Sequence, residues 1–126
     1  MKTTILSIVF FATVTLISAQ EKAQIVFKEK KHNFGKIRTV SKDSAIFYFE
    51  NAGMTPLLIL KVTEPCGCIT SEWTKRPVEI GKKGYVKVVF DPRGQNGKFS
   101  KSIYVKSNAE NDVVILKIEG EIINNF

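Results

Sequence analysis

From residue 25 onward the chain alternates apolar and polar residues with a period of two, broken by clusters of glycine, proline and asparagine. That alternation is the mark of half-buried strands. In Ala45-Ile46-Phe47-Tyr48-Phe49-Glu50 it places Ala45, Phe47 and Phe49 inward and Tyr48 and Glu50 outward. In Tyr85 to Phe90 it places Val86, Val88 and Phe90 inward; in Phe99 to Lys106, Phe99, Ile103 and Val105; in Val114 to Ile122, Leu116, Ile118 and Ile122. Leu57 to Val62 is apolar except for Lys61 and reads as a strand with Leu58 and Leu60 in the core. Ile25-Val26-Phe27 opens the first strand. His32-Asn33-Phe34-Gly35-Lys36-Ile37 reads as a bend inside a strand or a strand-to-turn corner, and Ile69 to Trp73 as a short strand or an irregular segment. Turns are predicted at Val40–Asp43, Asn51–Pro56, Gly81–Gly84, Asp91–Gly97 and Ser107–Asp112. No stretch keeps a 3.6-residue apolar repeat. About seven strands in about 100 residues predict an all-β sandwich of immunoglobulin type.

The start of the chain departs from this pattern. Met1-Lys2-Thr3-Thr4 is followed by an apolar run from Ile5 to Ile17 and the small residues Ser18 and Ala19. This is the three-part form of a secretory signal peptide. The run is shorter than the ~20 residues of a membrane-spanning helix, and no cysteine stands nearby for a lipid anchor. The reading is a signal peptide over 1–19 and one immunoglobulin-like domain over 20–126, exported to the periplasm or the extracellular medium, with no membrane span after cleavage.

Formal net charge is +7, and loss of Lys2 with the leader makes it 7 − 1 = +6. The basic residues are dispersed, the tightest groups being Lys28-Glu29-Lys30-Lys31 and Lys82-Lys83. Without an arginine-rich helix or a glycine-rich phosphate loop, nucleic acid is not an expected partner. Dispersed lysines give a solubilising surface, or one suited to an anionic envelope component.

Candidate chemistry concentrates in Glu64-Pro65-Cys66-Gly67-Cys68-Ile69-Thr70, which holds both cysteines. The pair admits several states: packed structural thiols, a structural Cys66–Cys68 disulfide that rigidifies the turn, the same disulfide exchanging with other thiols, an intermolecular disulfide, or two thiolates on a soft ion such as Cu(I) or Zn²⁺ with His32 as a third ligand. His32 is the only histidine, the carboxylates are scattered, and no serine or threonine sits in a nucleophile-elbow motif, so an enzyme is not expected and no cofactor is implied. Trp73, Arg76 and Tyr85 are the residue types that anchor interfaces. They form the candidate partner surface, set against the commoner role of a tryptophan after a turn, which is packing over the end of the sandwich.

Taken together, His32-Asn33-Phe34-Gly35, Phe47-x-Phe49-x-Asn51-x-Gly53, Pro56-Leu57-x-Ile59, Cys66-Gly67-Cys68-Ile69-Thr70, Gly84-x-x-x-Val88-x-Phe90 and Gly97-x-Phe99-x-Lys101-x-Ile103-x-Val105-x-Ser107-Asn108 give a specific resemblance. The chain resembles the 1573 family of domains of unknown function, common in secreted proteins of Bacteroidetes. The resemblance implies an immunoglobulin-like sandwich, similar to major sperm protein and Hydin-type modules, and no established activity. The chain differs from the family pattern at Pro65, where serine is usual, and at Ile80-Gly81-Lys82, where Pro-Gly-Glu is usual. The expected function is an exported, non-enzymatic binding module for an unknown protein or envelope partner, using edge strands and the loops at Asn51–Pro56, Cys66–Cys68 and Asp91–Gly97. The alternative is a metal-binding or thiol-redox accessory protein acting through the Cys-Gly-Cys turn. The sequence assigns no oligomeric state.

Overall fold

A computed structural model describes residues 10, 12–13 and 21–124. The expected signal peptide and its cleavage site fall almost wholly outside the described residues. Among the described residues no helix is long and apolar enough to cross a membrane.

Among the described residues eight strands form two four-stranded sheets. They are β1 (Ile25–Phe27), β2 (Lys31–Arg38), β3 (Asp43–Asn51), β4 (Ile59–Thr63), β5 (Ile69–Trp73), β6 (Lys83–Phe90), β7 (Gly97–Ser107) and β8 (Val113–Ile123). One sheet runs β1-β3-β6-β5 and the other β2-β8-β7-β4. The eighth strand arises because the first predicted strand divides. After Lys28 donates its N–H to the Tyr48 carbonyl, Glu29 and Lys30 carry the chain across to the other sheet. There β2 pairs with β8 in parallel, the two strands lying far apart in sequence.

The aromatic-glycine step is a bulge within β2. Register shifts between Asn33 and Lys36, Gly35 adopts φ +68°, and its N–H donates to Asn33 Oδ1 at 2.8 Å. Opposite it, Gly120 is bare; a Cβ there would meet the Gly35 carbonyl oxygen and the Phe99 ring. The bulge therefore needs two glycines, one for its dihedral and one for the close approach.

In β4 the predicted facing is reversed. Leu57 and Ile59 are buried, Leu58 is only half-buried and Leu60 is 53% exposed. Leu57 is held by an antiparallel bridge to Val78, and the register then slips between Ile59 and Lys61. One extra residue opposes the β7 partner and passes the inward role to Val62. A uniform apolar run gives no phase of its own, so the bulge decides which leucines go inside. Elsewhere the alternation is followed: Phe47, Phe49, Val86, Val88, Phe90, Ile103, Val105, Leu116, Ile118 and Ile122 form the buried layer, with Phe99 half-buried at its margin. At ~25 cal/mol per Å² of apolar surface, burial of side chains of this size contributes about 1.5–3 kcal/mol each before the entropy of ordering is subtracted.

Candidate functional site

β5 is an edge strand whose two ends carry the two candidate sites. At its start, Cys66 and Cys68 form a disulfide across Gly67, with Cα atoms 5.2 Å apart. Both cysteines are half-buried against the core while Gly67 is exposed. The turn is tied down by backbone bonds: Ile69 N–H donates to the Cys66 carbonyl at 3.3 Å, and Asp91 N–H to the Cys68 carbonyl at 2.8 Å. Ser71 Oγ donates to Glu64 Oε1, joining the exit of β4 to β5. Disulfide-bonded sulfurs offer no thiolate, so in this form the turn presents no soft-metal pair. Nor is His32 brought to it as a third ligand. His32 lies on β2 in the other sheet with its ring edge-on to Phe34, and among the described residues no group of three or more His, Cys, Asp or Glu side chains converges to hold an ion.

The Asp91–Gly97 loop stands beside this turn, while the Asn51–Pro56 loop lies at the opposite end of the sandwich. Asp91 is clasped by Arg93. The guanidinium donates from Nε and Nη2 at 3.0 and 2.7 Å, and the Arg93 N–H adds a bond at 3.1 Å. These hydrogen bonds, helped by the charges of Arg93 and Lys42, hold the Asp91 carboxyl down to about 2. A carboxylate depressed in the folded state adds stability above its unfolded value near ~3.9. That stability is lost as pH falls through about 2, so the loop keeps its clasp down to strongly acidic solution. Titration of the Asp91 carboxyl by NMR is expected to give a midpoint near about 2 in the wild type and an ordinary carboxylate midpoint in Arg93→Ala. An ordinary midpoint in the wild type would disprove the clasp.

At the far end of β5, Trp73, Arg76 and Tyr85 come together around one open hollow of about 470 Å³, with Thr74, Lys75, Lys83 and Gly84. The hollow forms because β5 and β6 stay clamped beyond Trp73. Thr74 N–H donates to the Tyr85 carbonyl at 3.1 Å, and Tyr85 N–H donates to Thr74 Oγ1 at 3.0 Å. Gly84 leaves its floor bare, since a Cβ there would overlap the Phe49 ring. Trp73 is half-buried against the core and also lines the hollow, so packing and surface roles coexist in one side chain. Lys75 Nζ lies 3.0 Å from the Trp73 ring centroid, a cation–π contact that orients the indole. Sequence reasoning passed over Lys75 and Lys83. Both had a signal: Lys75 lies two positions from Trp73, and Lys83 belongs to the basic pair Lys82-Lys83.

A third feature, read from the sequence only as a turn residue, is Asn51. It is fully buried and makes four bonds. Its Nδ2 donates to the carbonyls of Thr55 (2.8 Å) and Val78 (3.0 Å), and its Oδ1 accepts from the N–H groups of Gly53 (3.0 Å) and Gln24 (3.4 Å). Asn51 thereby locks the β5–β6 connection, which carries Arg76, to the β3–β4 loop and to the segment leading into β1.

Comparison with known proteins agrees with this architecture. No curated protein matches the chain. Among solved structures, a protein of unknown function from Porphyromonas gingivalis W83 superposes with a TM-score of 0.72 at 16% identity over 86% of this chain, which spans 51% of that one. The human CEP192 ASH/PapD-like domain 7 superposes with a TM-score of 0.70 at 12% identity, covering 100% of this chain and 99% of that domain. The Vibrio cholerae protease VesB gives a TM-score of 0.58 at 14% identity, over 80% of this chain and 31% of that one. At these identities the likeness establishes a shared immunoglobulin-like, PapD-like sandwich and nothing about activity. The family model for a protein of unknown function, DUF1573, matches residues 25–122, from the first residue of β1 to the penultimate residue of β8. The chain therefore belongs to the DUF1573 family.

Proposed function

We propose that the chain is an exported, non-enzymatic immunoglobulin-like module that binds a protein or envelope partner in the periplasm or outside the cell. The observation that carries this reading is the meeting of Trp73, Arg76 and Tyr85 on one open hollow. A large indole and a phenol give wide contact area at low entropic cost, and a guanidinium adds charged hydrogen bonding, the usual composition of binding hot spots. The apolar leader supports export. The test is capture from an envelope extract of the producing organism by the immobilised protein. The double variant Trp73→Ala, Tyr85→Ala is expected to retain at least tenfold less partner at unchanged far-UV circular dichroism; undiminished recovery overturns the site. Export is checked by N-terminal sequencing, which should begin at Gln20.

The half-exposed Cys66–Cys68 disulfide favours one second reading, a thiol-redox or copper- or zinc-handling accessory protein that works after reduction of the turn. The double variant Cys66→Ser, Cys68→Ser separates the two. Normal partner binding with lost thiol exchange or metal uptake selects the second reading, and lost fold makes the cysteines structural.

A further inference from the structure

The two sheets leave four edges, and three of them are blunted. β1 is three residues long, and Asn111 takes up both backbone groups of Ile25, accepting its N–H at 3.1 Å and donating to its carbonyl at 2.7 Å. β2 is broken by its bulge at Gly35, and β4 by its register shift at Leu60. Short strands, bulges and side-chain caps are the means by which sheets avoid adding further strands. β5 carries none of these. Its pairing with β6 runs from Ile69 to Trp73 without a shift.

The ladder shows which β5 groups are open. Cys68 and Thr74 bond to Asp91 and Tyr85, and bonded residues alternate along an antiparallel pair. Thr70 and Glu72 therefore bond to β6, and Ile69, Ser71 and Trp73 turn their backbone groups outward. The Ile69 N–H returns to the Cys66 carbonyl, so the open row is centred on Ser71 and Trp73. Charge around it is unequal. At the Trp73 end stand Lys75, Arg76, Lys82 and Lys83, with Glu79 the acid among them. At the cysteine end Glu64 reaches Ser71, and Glu72 lies opposite Lys87.

We propose that the open edge of β5 accepts an extended acidic peptide as a fifth strand of this sheet, with its carboxylates over Lys75, Arg76, Lys82 and Lys83. This rests on the binding-module reading and names the class of partner and the mode of contact. Backbone bonds to Ser71 and Trp73 supply the docking, as in other cases of strand addition, and the cationic rim selects the sign of the guest. A second copy of this chain is a poorer guest, since it carries the same net positive charge.

The test is panning of a phage-displayed random decapeptide library on the purified protein, followed by fluorescence anisotropy of the selected peptide made synthetically. Selected sequences are expected to be rich in Asp and Glu. Binding should weaken at least tenfold in Ser71→Pro, which deletes an outward N–H that the ladder to β6 does not use, and at least tenfold in Lys75→Glu, Arg76→Glu. N-methylation of alternate peptide amides should weaken it equally; this arm needs no protein variant and so is independent of any folding defect in Ser71→Pro. Selection of no peptide, or of neutral or basic ones, overturns the proposal. So does affinity indifferent to Ser71→Pro and to N-methylation, polygalacturonate binding as tightly as the peptide, or a β5-mediated dimer found in place of a peptide complex. If envelope-partner capture depends on Trp73 and Tyr85 but not on Ser71→Pro, the module reading stands and the strand proposal alone falls.

Discussion

Asn51→Ala is expected to lower the unfolding free energy by about 3–5 kcal/mol, a large effect for a polar side chain. The side chain is fully buried and satisfies two carbonyls and two N–H groups from separate parts of the chain. Truncation leaves these groups without their partner in a space an alanine does not fill, and each orphaned group costs about 1–3 kcal/mol unless water reaches it. Not all four will be dry, because three of the bonds are only part-buried, which sets the estimate below the simple sum. At about 4–8 °C per kcal/mol for a domain of this size, Tm should fall by more than about 12 °C. Urea unfolding measures the loss. Asn51→Asp should be nearly as harmful, because it keeps the acceptor but removes the donor to Thr55 and Val78 and buries a charge. A loss below about 1 kcal/mol for Asn51→Ala would show that the hub is not what joins these segments.

Asn51 also shows how far the sequence could be read. Period-two alternation through Ala45, Phe47 and Phe49 continues onto Asn51, so its inward position was legible. Asparagine, however, is a strong turn former, and the local reading won over the periodic one. Nothing local reveals that Gln24 and Val78 meet it, since each lies 27 residues away. The same limit explains β2, whose parallel partner β8 is remote, and β4, whose bulge is set by pairing with β7. The sandwich was legible because alternation is local and repeated. The hollow was legible in part, because Trp73 and Arg76 are sequence neighbours of unusual type and Tyr85 lies across one hairpin from them. For Cys66 and Cys68 the spacing allowed several states, and the structure joins them as a disulfide across Gly67.

Phe90→Ala is expected to destabilise the opposite end of the sandwich by about 3–5 kcal/mol. Phe90 is fully buried at the end of β6, between β3 and β5. Its ring crosses from one sheet to the other: the Phe99 centroid lies 4.6 Å away and that of Phe34 6.4 Å, while Phe34 and Phe99 are 6.4 Å apart. Phe34 and Phe99 are only half-buried, so removing Phe90 takes away the one ring of the three that is wholly inside, and two bulged or marginal strand segments lose their common support. Phe90→Leu, which keeps most of the volume, should cost under about 1.5 kcal/mol, and Tyr104→Ala on the exposed face within about 0.5 kcal/mol. The loss should also be local in its first sign. Asp91 follows Phe90 directly and donates to the Cys68 carbonyl, so hydrogen exchange at the Asp91 amide should accelerate in Phe90→Ala before the rest of β6 opens. Because Asn51 and Phe90 share no bonding partner and stand at opposite ends, the double variant should show additive losses to within about 0.5 kcal/mol. Strong non-additivity would mean that the paired strands β3 and β6, which run from Asn51 at one end to Phe90 at the other, couple the two ends of the sandwich.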